Sequence, residues 1–347
     1  ECNSGSFIRE RCSMRNLTPL DIVYASDENY VPILGVSLTS LFENNRETPI
    51  AVHILDDRIC EKSHEQLARV AERYAQKIEF IPIPDLDKLS GQKIDALRWS
   101  KTAFARLYLA TLAPQLGKVL YIDCDTMILG DLSPLGKMEL PERCSCAAVT
   151  ECMGDKHKEN VGLNSEDPYV NSGVMLIDLD RWREQATEEL FSAYIRQCSG
   201  RIPYVDQGVI NAVLKDQIAE LEPKYNVMTV CYDFSYKELQ HYRKTFYPYS
   251  ESSYAQAKKS PIIVHFTTSF LSRRPWINAK QTHPFAEKWR EYKNMTPWKD
   301  TLLWKDQRTA VKKVYEIFFH AIPRPLAVEI SGILHSTFKA KKDARVK

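Results

Sequence analysis

The chain is expected to fold as an α/β domain around a mostly parallel sheet, and three observations carry that expectation. Between residues 21 and 83, apolar runs of strand length alternate with amphipathic stretches of helical period. Such runs recur at 118–123, 146–150, 169–179 and 261–266, separated by further helical patterns. No internal repeat of roughly 20–50 residues suggests a solenoid instead. A β-α-β-α-β order leads to a parallel sheet because each crossover returns the chain to the same edge direction.

The first run, DIVYAS (21–26), ends in turn-formers and reads as a strand. VPILGVSLTSLFENN (31–45) places Ile33, Leu34, Leu38, Leu41 and Phe42 at helical spacing. IAVHIL (50–55) is a strand, and 60–77 is an amphipathic helix with Leu67, Val70, Ala71 and Tyr74 on one face. KIEFIPI (77–83) is a strand, TAFARLYLATL (102–112) a helix, and KVLYID (118–123) a buried strand. CAAVT (146–150) and YVNSGVMLIDL (169–179) read as strands. DLDRWREQATEELFSAYIRQ (178–197) reads as one long helix with an Asp near its start, and 205–216 as a shorter one. PIIVHF (261–266) is a late strand.

The 347 residues are ample for a sizeable core, and 44% hydrophobic with 27% charged residues is a globular composition. A net charge of +2 is too small to point to nucleic acid. No uncharged apolar run is long enough to cross a membrane. Nine cysteines, without a C-x-x-C pair or regular spacing, read as reduced cytosolic thiols. Asn16-Leu-Thr and Asn294-Met-Thr fit a glycosylation sequon and are taken as chance. Residues 1–20 have neither an initiating Met nor a signal-peptide apolar core, and are set apart as an extension expected to be poorly ordered.

The chemistry concentrates in VLYIDCDTMILGDLSPL (119–135), where an apolar run stops at Asp123 and Asp125. Strand alternation is expected to aim both carboxylates to one side, at the end of a strand where open α/β sheets bind ligands. Paired carboxylates repel unless a cation or proton lies between them. Oxygen ligands suit Mg²⁺ or Mn²⁺, ions that bridge diphosphates. A solvated turn is the plain alternative. A haloacid-dehalogenase-type phosphatase using Asp123 as nucleophile is another, although its signature sits near a chain start and needs a later Asp pair.

Five stretches in order identify the chain as resembling glycosyltransferase family 8: DIVYASDENY (21–30), FARLYL (104–109), VLYIDCDTMI (119–128), YVNSGVMLIDLDRW (169–182) with VDQGVIN (205–211), and HFTTSFLSRRPW (265–276). This is the family of bacterial lipopolysaccharide galactosyl- and glucosyltransferases and of glycogenin. The resemblance implies a GT-A fold, a UDP-sugar donor, and retaining transfer of galactose or glucose to a glycan or glycolipid acceptor, such as a cell-envelope oligosaccharide. It implies that Ala25, Asp27 and Asn29 contact the nucleoside, with Tyr30 stacked on the base, although Asp27 as a helix cap is the plain reading. Arg106 would lie near donor sugar and phosphate, and Cys124 belongs to the same donor-binding turn. Asp123, Asp125 and His265 would hold the metal, Mn²⁺ or Mg²⁺. Arg274 would take the diphosphate. The loop before it carries Thr267, Thr268 and Ser269 without a Gly, which leaves the choice between Arg273 and Arg274 open. Asn171, Asp206 and Gln207 would line the sugar pocket, with Gln207 nearest the anomeric carbon and Glu151 where an Asp is expected. Three readings compete: self-glucosylation like glycogenin, a non-catalytic nucleotide-sugar binder, and an inverting enzyme with Asp206 or Glu151 as base.

The catalytic domain is expected to span 21–295 and a helical, basic extension 296–347. From 310 onward eight Lys or Arg stand against three Asp or Glu, interleaved with apolar residues, and Pro323 and Pro325 divide two segments. Such a stretch either lies on an anionic membrane surface or packs on the domain. A cytoplasmic enzyme, peripheral on the inner face of the membrane, is the matching location.

Overall fold

A computed structural model of the chain describes residues 19–96, 100–280 and 283–344. Expectations placed on residues 1–18, including the order of the extension and the sequon at Asn16, lie outside these, as do the last three residues of the basic tail.

The first eight strands are β1 (Leu20–Asp27), β2 (Ile50–Asp57), β3 (Lys77–Pro82), β4 (Lys118–Ile122), β5 (Thr126–Ile128), β6 (Cys146–Thr150), β7 (Val170–Asp178) and β8 (Ile218–Glu220). All but β5 form one sheet in the order β3-β2-β1-β4-β7-β6-β8. β7 runs antiparallel to both neighbours and every other pair is parallel. The chain steps outward from β1 to β3, then returns to the other side of β1 with β4. This reversal makes the carboxyl ends of β1 and β4 a switch point, the place where such sheets leave a crevice. Asp27 ends β1, and Asp123 follows β4.

A second sheet, β5-β10-β9, is built from β5 with β9 (Val227–Met228) and β10 (Ile263–His265). The helix Val31–Glu43 buries eleven of its thirteen residues between these layers, so its polar residues must bond locally. The Thr39 hydroxyl donates to the Gly35 carbonyl (2.7 Å), and Ser40 Oγ accepts from the Ile128 amide (2.9 Å). Ser37 and Thr126 pair through their hydroxyls at 3.0 Å. The helix thereby fixes the strand that leaves the Asp123–Asp125 turn.

Two helical expectations need correction. Residues 178–197 form two helices, Leu179–Glu184 and Thr187–Gln197, joined through Ala186 at φ +50°. In a continuous helix of about 3.6 residues per turn, Trp182 and Phe191 would face opposite ways. The break lets both enter the core, where their rings meet edge-on at 5.3 Å. Residues 101–108 form a 3₁₀ helix, with an α-helical turn only at Leu109–Leu112. Arg106 Nε there donates to the Ala103 carbonyl (3.1 Å), an acceptor that an α-helical turn would give to Leu107.

Beyond residue 295, β12 (Trp304–Lys305) pairs with β11 (Ile277–Asn278). The helices Ala310–Ala321 and Arg324–Ile333 follow, and the helical path continues to Ala344. Pro323 precedes the second helix and Pro325 lies in its first turn, where a missing N–H costs little. Phe319 is buried edge-on to Phe234 and Phe270. Val311, Val314, Ile317 and Phe318 point outward, so one apolar face packs and a second stays uncovered.

The inner contact contains two histidines, His157 buried and His335 half-buried. Burial, reinforced by nearby Lys339 and Arg243, depresses His157 to about 3, and burial beside Arg243 depresses His335 further. A His that is neutral when folded contributes its full stability above its unfolded pKa of about 6.5 and loses it as pH falls below that value. Acidification from pH 7.5 to about 5 is therefore expected to loosen residues 324–344, at about 1.4 kcal/mol per histidine per pH unit below 6.5. Hydrogen exchange of that segment should rise steeply over this window, and flat exchange would contradict the burial.

Candidate active site

Asp123 and Asp125 converge through a turn, which corrects the expectation that they share a strand face. β4 ends at Ile122, and residues 123–125 lead into β5. The Asp123 amide donates to the Gly173 carbonyl (2.8 Å), and the Thr126 hydroxyl donates to the Asp123 carbonyl (2.9 Å). These bonds curl the backbone so that the two carboxylates approach each other.

His265 arrives from the end of β10, in the other sheet. Its Nε2 lies 3.1 Å from Asp125 Oδ1 and 3.7 Å from Asp123 Oδ2. One ligand atom from each of the three residues lies within 4.8 Å of the others. The tautomer follows from the neighbours. The Gly173 amide donates to Asn171 Oδ1 (3.0 Å), which therefore also accepts from Asn226 Nδ2 (2.9 Å). That leaves Asn226 Oδ1 facing His265 Nδ1 at 3.0 Å, so Nδ1 carries the hydrogen. A neutral ring then aims the Nε2 lone pair at two carboxylates, an arrangement that needs a cation between them or a proton on the ring. Burial opposes charge on both groups, yet His265 and Arg274 hold Asp125 below its ordinary pKa, and Asp125 holds His265 above its own. Two oxygens and one imidazole nitrogen suit Mn²⁺ better than Mg²⁺.

Gly173 makes this approach possible. A Cβ there would stand 2.2 Å from His265 Cε1 and 2.8 Å from Asp123 Oδ2.

Two arginines balance the acids. Arg106, 5% exposed, donates from Nη2 to Asp123 Oδ1 (2.7 Å) and from Nη1 to the Ser172 carbonyl (2.7 Å). Its Nε lies 3.1 Å from Asp206, and its guanidinium stacks 4.2 Å over the Tyr121 ring. Burial works against its charge, but Asp123 and Asp206 outweigh burial and raise its pKa. Burial raises Asp206 to about 6, with Arg106 pulling the other way. Arg274 Nη2 lies 3.0 Å from Asp125, and its Nη1 donates to the Tyr30 hydroxyl (3.3 Å). Arg273 is directed elsewhere, to Glu316 of the helix Ala310–Ala321 (3.3 Å) and the Ser269 carbonyl (2.8 Å).

On the far side of the cluster, six polar residues share hydrogen bonds. Gln207 Oε1 accepts from Asn171 Nδ2 (3.0 Å) and the Ser172 amide (3.3 Å). Gln207 Nε2 donates to Glu151 Oε2 (3.2 Å) and the Tyr169 hydroxyl (3.3 Å). Asp206 accepts from the Ser172 hydroxyl (3.1 Å). Tyr204 and Val205, just before this pair, have φ of +65° and +50°. A β-branched residue in that region is strained.

At the end of β1, Asp27 acts as a cap, accepting from the Asn29 amide (3.0 Å) and the Tyr30 amide (3.2 Å). Asn29 is exposed, and Ala25 and Tyr30 are half-buried along the same edge. Cys124 turns away from its two neighbours. Its buried thiol donates to the Ala25 carbonyl (3.1 Å), so any contact with a donor falls to its backbone. Sequence reasoning did not single out Gly173, Asn226, Ser172, Tyr169 or Arg243. Gly173 and Ser172 lay inside a quoted motif, whereas Asn226 and Arg243 carry no local signal.

A sequence profile described as glycosyl transferase family 8 matches residues 21–279. The chain is 26% identical over 290 residues to general stress protein A of Bacillus subtilis, covering 82% of this chain and 96% of that protein. It is 27% identical over 287 residues to lipopolysaccharide 1,2-glucosyltransferase of Escherichia coli K12, covering 81% and 79%. In structure it resembles galactosyltransferase LgtC, solved with donor and acceptor sugar analogues. The TM-score is 0.68 at 24% identity, covering 82% of this chain and all of that one. The architecture is therefore GT-A, with the mostly parallel sheet of that fold.

Gly173→Ala is expected to weaken Mn²⁺ binding by at least about tenfold, because His265 and Asp123 must separate to admit the methyl group. Paramagnetic resonance of free Mn²⁺ measures this directly, with circular dichroism as the control for folding. Wild-type affinity in the variant would show that the close approach is not required.

Proposed function

The chain belongs to glycosyltransferase family 8, and from that membership we propose that it moves glucose or galactose from a UDP-sugar to a glycan acceptor of the cell envelope, retaining the anomeric configuration. The observation that carries this reading is the Asp123, Asp125 and His265 cluster with Arg274 beside it. Those three residues would hold a divalent ion, which would supply positive charge to a diphosphate leaving group.

The chain's own residues supply the rest. Asp27, Asn29 and Tyr30 line the nucleoside end, and Arg106 and Arg274 flank the diphosphate. Arg274 is the phosphate ligand because Arg273 is committed to Glu316. Gln207 faces the sugar, its amide oriented by four hydrogen bonds. An amide is a poor nucleophile, so the acceptor hydroxyl attacks on the leaving-group side. Its proton passes to the departing diphosphate, and Gln207 stabilises positive charge at the anomeric carbon. Retention is supported by the state of the two candidate bases. Asp206 is paired with Arg106, and Glu151 is bonded to Arg243 and Gln207. The phosphatase alternative falls with the family and the fold.

The lipopolysaccharide 1,2-glucosyltransferase of E. coli supports an envelope glycolipid as acceptor. Among the described residues no helix is long and apolar enough to cross a membrane. The uncovered face of Val311, Val314, Ile317 and Phe318, beside Lys312 and Lys313, fits peripheral contact with an anionic lipid surface on the cytoplasmic side.

UDP release from a panel of nucleotide sugars tests the reaction. One UDP-hexose should support metal-dependent release that EDTA abolishes, and Asp125→Asn should lower it by at least about 100-fold. Sugar found on the protein itself would instead indicate self-glycosylation. Donor binding without release, with acceptors supplied, would indicate a non-catalytic binder. A Val314→Asp/Phe318→Asp variant should lose binding to phosphatidylserine-containing vesicles while retaining UDP release, and undiminished vesicle binding would remove the membrane contact.

A further inference from the structure

The C-terminal helical segment reaches the sugar pocket by two routes. Glu151 holds the Gln207 amide with one oxygen, and its other oxygen accepts from Arg243 Nη2 (3.2 Å). Arg243 is 9% exposed, at the end of the helix Tyr236–Arg243. Its Nη1 donates to Nε2 of His335 (3.1 Å), a residue of the C-terminal segment. The His335 ring is packed between Tyr242 and His157, at centroid distances of 4.9 and 4.7 Å.

The second route runs through the backbone before Gln207 and through Tyr169, which meets the same amide nitrogen as Glu151. The His335 carbonyl accepts from His157 Nε2 (3.1 Å), and the Ala340 carbonyl accepts from Asn160 Nδ2 (2.9 Å). His157 and Asn160 both bond the Tyr204 hydroxyl. Tyr204 is the first of the two strained residues immediately before Asp206 and Gln207. Tyr169, edge-on to Tyr204, accepts from Gln207 Nε2. Strain of this kind persists only where surrounding contacts over-determine the backbone. Part of that surrounding comes from residues 335–340.

We propose that His335, acting through Arg243, is a positioning residue for the Glu151–Gln207 pair, so that the C-terminal segment is a working wall of the sugar pocket. Without the His335 acceptor, the Arg243 guanidinium keeps Glu151 but loses the contact that fixes its plane. Glu151 then shifts, and the Gln207 amide follows. The inference rests on the reading that Gln207 faces the donor sugar, and its test separates the two.

His335→Leu removes the acceptor at similar volume, and His335→Gln keeps an acceptor there. In the full chain, His335→Leu is expected to lower kcat for UDP release by about tenfold with less than about threefold change in donor KM. His335→Gln should recover most of the loss. Within a Gln207→Ala background, His335→Leu should add less than about twofold, because residues acting through one group are not additive. A kcat within twofold of wild type for His335→Leu would overturn the proposal. So would equal losses in both variants that multiply with Gln207→Ala, since that pattern marks general loss of folded protein. Hydrogen exchange needs no substrate and judges the wiring even if no UDP-sugar is turned over. Exchange at residues 150–152 and 205–208 should rise in His335→Leu and in Arg243→Lys, whose single nitrogen lacks the planar fork that meets the two partners from Nη1 and Nη2. Unchanged exchange there would overturn the inference, whereas absent turnover in the wild type would overturn only the proposed reaction.

Discussion

Two carboxylates held within a few ångströms of each other set the terms for much of this structure. At the 4.8 Å span of the cluster, two unit charges repel by about 3.5 kcal/mol at an effective dielectric of 20. The fold meets that repulsion with two guanidinium groups, Arg106 on Asp123 and Arg274 on Asp125, and brings the His265 ring to the pair from a separate sheet. Each comes from a distant part of the chain. The cluster therefore exists only when the main sheet, the small sheet and the loop after β10 are all in place.

The same constraint explains why so much of the surrounding structure is polar yet buried. His265 must present Nε2, so Nδ1 is fixed by Asn226, which is fixed by Asn171, which also holds Gln207. The His265 imidazole and the Gln207 amide thus share one hydrogen-bond chain. Buried chains of this kind rigidify when every member is satisfied and are costly when one is not. The arrangement favours a pre-formed site, as charge stabilisation in group transfer requires.

The C-terminal region takes part in both halves of the site. Glu316 ties down Arg273, next to Arg274. His335 meets Arg243, next to Glu151. The outward face of the first helix remains apolar and basic, while the inward faces are built into the domain. Of the two expectations raised by its composition, the structure shows packing on the domain, with a second apolar surface left exposed.

Much of the main architecture was legible in the sequence. Period-two and period-3.6 patterns, fixed by backbone geometry, marked β1 to β4 and the two helices that link β1 to β2 and β2 to β3. The interruption of an apolar run drew attention to Asp123 and Asp125, and the resemblance of five ordered motifs to family 8 pointed to His265, Asn171, Gln207, Arg106 and Arg274. Local pattern could not reveal how those residues meet. The aspartates converge through a turn held by Gly173 and Thr126, the helix at 178–197 breaks so that Trp182 and Phe191 share one core, and Arg273 and Arg274 part company over an acid more than forty residues away. Asn226 and Arg243 carry no local motif signal, and His335 lies in a stretch marked only by its basic, amphipathic composition. The side chains they meet around the site are 39 to 92 residues distant and adjoin only after packing, so tertiary structure alone decided which polar groups complete the site.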